Sequence, residues 1–162
     1  MIDKNKEKEL TVISLGAGVQ SSVMAIMAAK GDFPKPDCAI FADTGYEPKA
    51  VYIYLDFLKK ILPYPVHIVS KGNIKKDMLE SIDNGTRFPT APFFTQQEIT
   101  GKKGMLRRQC TADYKIVPIR KKIRELCGVK YGKHFPKDKY VEQWIGISTD
   151  EIQRMKPARD PY

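Results

Sequence analysis

The chain has 162 residues, of which 42% are hydrophobic and 29% charged, the composition of an ordinary globular domain. Its 28 lysines and arginines exceed its 19 aspartates and glutamates, and the formal net charge of +9 favours nucleotides, sulfonucleotides or nucleic acid as partners. Because no run of about 18 apolar residues and no signal-peptide pattern is present, we expect no membrane span and a cytoplasmic location.

The predicted elements alternate between strand and helix through the first half of the chain. A charged tail at 1–9 precedes a buried strand and a small-residue turn, and Gly31 and Pro63 end the first two helices. The predicted strands are 10–15, 38–42 and 66–69, and the predicted helices are 21–30, 48–62 and 74–82.

The second half of the chain departs from this alternation. The stretch 84–107 is rich in glycine, proline and phenylalanine, which predicts a long functional loop inserted into the domain. A helix at 112–126, a last strand at 141–147 and a helix start at 148–151 follow. We expect one domain over 10–155 and a C-terminal tail at 156–162.

Strands alternating with helices indicate parallel βαβ units, and hence an α/β, Rossmann-like parallel sheet with helices on both faces. Ligands bind such sheets at the carboxyl ends of the strands. Three small or polar clusters, at 14–22, 43–47 and 148–151, are expected at those ends, so the topology predicts a single site.

The three cysteines, Cys38, Cys110 and Cys127, are odd in number and form no Cys-x-x-Cys pair. This pattern argues against a disulfide framework or a zinc ribbon, and two histidines in unrelated contexts make a His/Cys metal site improbable. Cys38 and Cys127 are predicted to lie in the core.

The first βα turn carries the main chemical signal. Its small residues would let an anion approach the backbone at a helix N-terminus, where N–H groups are free. The alternative is a tight turn with an ordinary serine N-cap. The residues predicted to bind phosphate are Ser14, Leu15, Gly16, Ala17, Gly18, Val19, Gln20, Ser21 and Ser22.

The 14–22 loop can be compared with two known phosphate-binding motifs, the Walker loop and the dinucleotide fingerprint. No Gly-x-x-x-x-Gly-Lys-Ser/Thr is present, which excludes a Walker loop. Gly16-x-Gly18-x-x-Ser21 is one residue short of the dinucleotide fingerprint, and Asp43 could serve as its ribose-binding acid. An NAD-dependent oxidoreductase therefore stays open, although Ser21 argues against it.

Four segments together resemble the phosphoadenosine phosphosulfate (PAPS) reductase-like branch of the PP-loop adenine nucleotide α-hydrolase superfamily. The 14–22 loop resembles its PP-loop, and the order of all four segments follows the family. The first two look closest to its short, often phage-encoded members. The other three segments are Phe41-Ala42-Asp43-Thr44-Gly45-Tyr46-Glu47-Pro48, Arg107-Arg108-Gln109-Cys110-Thr111-Ala112-Asp113-Tyr114-Lys115-Ile116-Val117-Pro118-Ile119 and Gly146-Ile147-Ser148-Thr149-Asp150-Glu151-Ile152-Gln153-Arg154.

The resemblance implies a strand order of 3-2-1-4 and a site for ATP or PAPS, with Mg²⁺. Phosphates would lie over the 14–22 loop, with adenosine towards Asp43, Thr44 and Gly45 and contacts from Gly146 and Ile147. Arg108 and Lys115 are the candidate catalytic cations, because arginine forks and lysines suit phosphate or sulfate. The candidates for substrate or metal contacts are Cys110, Asp150, Glu151 and Arg154, with structural roles in the pocket wall or a helix cap as the alternative.

Two departures from the family pattern limit what is expected. Gln20 stands where many PP-loop enzymes have an acid, so a metal role for that position is in doubt. The Glu-Cys-Gly-Leu-His nucleophile motif of sulfonucleotide reductases is absent, so we expect a shortened form that does not itself reduce PAPS.

The expected activity is therefore that of an ATP pyrophosphatase or an adenylyl- or sulfur-transferase. Its acceptor is a small molecule, tRNA or DNA, and a homodimer or a protein partner would supply the missing C-terminal part. A non-catalytic nucleotide- or nucleic-acid-binding phage accessory module is the main alternative.

Overall fold

The computed structural model describes residues 6–85, 94–96, 100–105, 110–130 and 132–155. No helix in these residues is long and apolar enough to cross a membrane. In chain order the elements are β1 (Glu7–Leu15), α1 (Val19–Lys30), β2 (Cys38–Asp43), α2 (Lys49–Ile61), β3 (Val66–Ser70), α3 (Ile74–Asn84), β4 (Phe94–Gln96), β5 (Lys103–Met105), a π-helical turn (Ala112–Ile116), α4 (Val117–Leu126), β6 (Lys139–Ile145) and a 3₁₀ helix (Thr149–Arg154).

Four parallel strands form the main sheet in the order β3-β2-β1-β6. Because β6 is the fourth strand of this sheet along the chain, the predicted order 3-2-1-4 is confirmed. The two central strands, β1 and β2, lie beneath helices on both faces, which is why β2 is apolar from Cys38 to Ala42 and β1 is mostly apolar from Leu10 to Leu15.

Side chains alternate along β1 and β2 and so create one core on each face of the sheet. Ile13 and Phe41 pack with α1 and α2 on one face. Val12 and Ile40 pack on the other face with Ile123 of α4. This two-residue period follows from the pleat of a strand, and the predicted arrangement of helices on both faces is confirmed.

The helix after the first loop begins earlier than predicted. Gly18, not a serine, is its N-cap: the Gly18 carbonyl accepts the N–H of Ser22 at 3.0 Å, and no side chain caps the helix. Gly18 reaches the extended conformation that an N-cap requires, so the first turn closes at Val19. The alternative interpretation, a tight turn with an ordinary serine N-cap, is therefore wrong.

Other boundaries also differ from the prediction. β1 begins at Glu7, inside the expected tail, because its backbone pairs with Lys139 of β6. β6 ends at Ile145, two residues before the predicted end of the last strand. Within the expected loop at 84–107, β4 and β5 pair antiparallel. Of that stretch, the structure describes residues 84–85, 94–96 and 100–105.

Candidate functional site

A central cleft of about 420 Å³ lies at the carboxyl ends of the central strands, which is the edge that the topology predicted. The 14–22 loop forms one wall, the strand ends form its floor, and the π-helical turn with the start of α4 forms the opposite wall. The lining residues are Ser14, Leu15, Gly16, Gly18, Gln20, Ser21, Phe41, Ala42, Thr111, Lys115, Ile116, Ile119, Arg120, Gln143, Ile145 and Gly146.

Internal hydrogen bonds hold the 14–22 loop in a closed shape. The N–H of Gly16 donates to Ser21 Oγ at 3.1 Å, and that hydroxyl donates in turn to the Gly18 carbonyl at 3.2 Å. Ala17 at the tip has φ of 51°, a left-handed conformation that non-glycine residues rarely adopt. Backbone strain of this kind is common at functional sites, where the surrounding contacts maintain it.

Gly146 allows the end of β6 to pack directly against the loop. A Cβ atom at this position would lie 2.7 Å from both the carbonyl carbon of Gln20 and the nitrogen of Ser21. Both neighbours are backbone atoms and cannot rotate away, so only glycine fits here. Gly146 therefore acts through this close approach, by fixing the position of the loop.

Gln20 joins the loop to the segment that follows β6. Its amide nitrogen donates to Ser148 Oγ at 3.0 Å and to Glu151 Oε2 at 2.9 Å. An acid at position 20 would place its carboxylate against that of Glu151, and the two negative charges would repel. An amide at this position instead donates a hydrogen bond to Glu151, which explains why glutamine is compatible with this neighbour. Asp150 keeps its carboxylate beside Ser148, whose hydrogen bond lowers the Asp150 pKa.

The turn after β2 is fixed by its own side chains. Asp43 Oδ1 accepts hydrogen bonds from the Gly45 N–H and from Tyr52 Oη, both at 2.8 Å. A Cβ on Gly45, where φ is 70°, would lie 2.8 Å from the Cα of Asn73. Burial raises the Tyr52 pKa, and the hydrogen bond to Asp43 raises it further. Asp43, Thr44 and Gly45 hold the β2 and α3 ends together and do not line the cleft.

Lys115 enters the cleft from a π-helical turn. Pro118 has no N–H to donate to the carbonyl four residues earlier, and the N–H of Val117 instead reaches back five residues to Ala112. The turn is anchored by Tyr114, which is 1% exposed and donates to Asp77 of α3. Lys115 Nζ lies 3.6 Å from Glu47 Oε1 and is half-exposed.

The structure thus brings together part of the predicted site. Ser14, Leu15, Gly16, Gly18, Gln20, Ser21, Lys115 and Gly146 line the cleft. Ser22 is 2% exposed and its Oγ has no hydrogen-bond partner in the described part of the chain, while Val19 is 80% exposed. Arg108 and the side chain of Arg154 lie outside the described residues. The remaining predicted residues, which do not line the cleft, are Ala17, Asp43, Thr44, Gly45, Cys110, Ile147, Asp150 and Glu151.

Sequence reasoning missed several residues that line the cleft. Arg120 is the most informative, because it adds a second cation beside Lys115, one and a half helical turns away. The side-chain amide nitrogen of Gln143 in β6 donates to Ser14 Oγ in the neighbouring strand β1 at 2.5 Å. Gln143 is one of three polar or charged residues in β6, with Lys139 and Glu142, so its place in the strand gave no distinctive signal. The others are Phe41, Ala42, Thr111, Ile116, Ile119 and Ile145.

Metal ligands and reactive thiols are sparse in this region. Among the described residues no group of three His, Cys, Asp or Glu side chains could hold a metal ion. The three cysteines are free thiols. Cys38 is buried and burial raises its pKa to about 11, whereas Cys127 is partly buried against the same core. Cys38 therefore has a structural role.

Comparison with known proteins gives one match. Residues 10–131 match the family model of the phosphoadenosine phosphosulfate reductase domain, and this range covers most of the chain and both walls of the cleft. No curated protein and no solved structure matches the chain.

Proposed function

Because the chain belongs to the phosphoadenosine phosphosulfate reductase domain family, we propose that its central cleft binds an adenine nucleotide. The phosphates would lie over the 14–22 loop, and the protein would act at the α-phosphate of ATP or on a sulfonucleotide. The observation that carries the proposal is the cleft itself, in which the N-terminus of α1 faces Lys115 and Arg120.

The loop supplies the donors that a phosphate needs. The first N–H groups of α1 have no partner inside the helix and carry the positive end of its dipole. A Cβ at Gly18 would meet no described atom within 4 Å, so the backbone there is open to a ligand. An anion at this place would gain from both the N–H groups and the two cations.

The base has an apolar surface to contact. Phe41, Ala42, Ile116, Ile119 and Ile145 line the same cleft. Nucleotide sites combine apolar walls with a few placed polar groups, and a volume of about 420 Å³ is within the range of small-ligand sites. We therefore place the adenine against these side chains. Phe41 and Ala42 directly precede the Asp43–Gly45 turn, towards which the family resemblance had placed the adenosine.

The chemistry would rest on positioning and charge neutralisation. Lys115, with Arg108 from the same family segment, would stabilise negative charge on the phosphates, and no dedicated nucleophile is required. A phosphate would compete with Glu47 for Lys115, since the present Lys115–Glu47 distance is 3.6 Å. Ser21 would keep the loop closed rather than donate to the ligand, because its hydroxyl is already engaged.

Mg²⁺ fits this site in part. Nucleotide-bound Mg²⁺ takes most of its ligands from phosphates and water and one or two from carboxylates. Glu151, held beside the loop by Gln20, and the neighbouring Asp150 are the carboxylates that would hold it. The ion would supply neutralising charge to the phosphates.

The first experiment is a thermal-shift series with ATP–Mg²⁺, PAPS, AMP and NAD. A ligand at 100 times its dissociation constant adds about 2.7 kcal/mol, which is several degrees for a domain of this size. We expect a shift with ATP or PAPS, followed by release of AMP in product analysis. AMP release would distinguish an enzyme from a module that only binds the nucleotide.

The Lys115→Ala variant tests the site itself. We expect it to lose most of the ATP shift, whereas Lys59→Ala, an exposed lysine of α2, keeps the full shift. A shift with NAD alone, or no shift with any of the four ligands, would contradict the proposal.

A further inference from the structure

The positive charge of the protein is concentrated in one segment. Residues 117–137 hold seven of the 28 lysines and arginines but only one of the 19 acids, so their formal charge is +6 out of +9. The segment includes α4, which packs on the opposite face of the sheet from α1 and α2. The seven cations are Arg120, Lys121, Lys122, Arg124, Lys130, Lys133 and Lys137.

A groove of about 460 Å³, here called the α4 groove, lies along α4 and extends to Val129. Its lining combines cations with an apolar floor of Val117 and Val129, and Val117 is 53% exposed. The single acid, Glu125, lies 2.6 Å from Lys122, which lowers the Glu125 pKa and neutralises its charge. The other lining residues are Arg120, Lys121 and Arg124.

Arg120 connects this groove to the central cleft. Arg120 lines both cavities, so the two are adjacent at this residue. A long ligand in the α4 groove can therefore extend to the place where the nucleotide phosphates would lie. The groove thus has the position that an acceptor substrate needs.

We propose that the α4 groove binds single-stranded nucleic acid. This inference rests on the nucleotide function proposed above. The bound nucleic acid would be the acceptor substrate, and it would reach the cleft past Arg120. Its phosphates can pair with the cations that line the groove, Arg120, Lys121 and Arg124, and an unstacked base can contact the apolar floor. A duplex would keep its bases stacked and away from Val117 and Val129.

The test measures binding of a labelled oligothymidylate of about 16 nucleotides by fluorescence anisotropy at several salt concentrations. If Arg120, Lys121, Arg124 and Lys130 each contact a phosphate, log K should fall with log salt with a slope of about −3. Lys121→Glu with Lys130→Glu should weaken binding about tenfold or more and reduce the slope to about −1.4, because two phosphate contacts remain.

The matched control is Lys59→Glu with Lys60→Glu on α2. Both pairs consist of exposed lysines and give the same net charge, but the control pair lies on the opposite face of the sheet. Equal weakening by both pairs, no binding by the unmodified protein, or equal affinity for the corresponding duplex would overturn the proposal.

An ATP thermal shift recorded on the same three proteins separates this inference from the proposed function. A normal ATP shift without strand binding would overturn the α4 groove alone. Strand binding that depends on Lys121 and Lys130 but occurs without any ATP shift would support the groove and overturn the nucleotide function.

Discussion

Gly146 is a single residue on which the geometry of the whole cleft depends. Gly146→Ala would place a methyl group 2.7 Å from backbone atoms of Gln20 and Ser21, so the loop must move. We expect a loss of about 1–3 kcal/mol in the free energy of unfolding and a weaker ATP shift. Urea denaturation and thermal shift measure the two effects.

Gly18→Ala is the contrasting variant at this scale. Its Cβ would meet no described atom within 4 Å, but alanine is a poorer N-cap than glycine, so we expect a loss of about 0.5–1 kcal/mol in the free energy of unfolding without ligand. The shift that ATP causes, measured from the unliganded variant, should also be reduced, because the methyl group occupies the space assigned to phosphate. An unchanged ATP shift would contradict that assignment.

Gln20 is the second residue whose role can be tested by itself. Gln20→Glu would set its carboxylate against Glu151, and the like charges raise the pKa of the pair in the folded state. Stability should therefore fall by about 0.5–1 kcal/mol at pH 8 and recover as the pH drops below about 5, where the pair takes up a proton.

The swapped double variant, Gln20→Glu with Glu151→Gln, controls for this effect. It restores an amide opposite a carboxylate, so we expect its stability at pH 8 to return to that of the unmodified protein. A double variant as unstable as Gln20→Glu would show that the contact with Glu151 is not the cause.

At the scale of elements, the π-helical turn sets the place of Lys115. Pro118→Ala restores the missing N–H and allows an ordinary α-helical turn, which removes the widening between Ala112 and Val117. We expect unliganded stability to stay equal or rise, while the ATP shift falls because Lys115 rotates away from the cleft. A variant that keeps the full ATP shift would argue against this role of the turn.

The elements themselves were largely predictable from the sequence. The periodicity of apolar residues identified β1, β2, β3 and the major helices, because it reflects which face each element buries. The short β4–β5 pair was missed, since strands of three residues carry too little pattern. The first helix was predicted to begin at Ser21, because serine is a preferred residue at helix starts, but Gly18 is the N-cap and the helix begins at Val19.

At the scale of the whole molecule, buried phenols couple stability to alkaline pH. Tyr64 is 6% exposed and donates to the Ala25 carbonyl at 2.7 Å, and burial raises its pKa to about 12. A phenol ionises near pH 10 in the unfolded chain, so its contribution is complete below pH 10 and is lost as the pH rises towards 12. The loss should be about 1.4 kcal/mol per pH unit over that range.

Tyr64→Phe separates this group from the other tyrosines. We expect the variant to lose about 1 kcal/mol at pH 8 with the hydrogen bond, and to show a shallower decline between pH 10 and pH 12. Urea denaturation across this range measures both slopes. Parallel slopes for the two proteins would contradict the assignment to Tyr64.

The sequence by itself determined the alternation of elements, the parallel sheet and the presence of a small-residue loop at a helix start. These features depend on neighbouring residues, whose spacing reveals the local period. The tertiary structure alone decided which side chains meet in the cleft. Gln20 contacts Glu151, and Gly146 approaches the same loop, across more than 120 residues of chain. Such pairs depend on strand register and helix packing, and no local pattern encodes them.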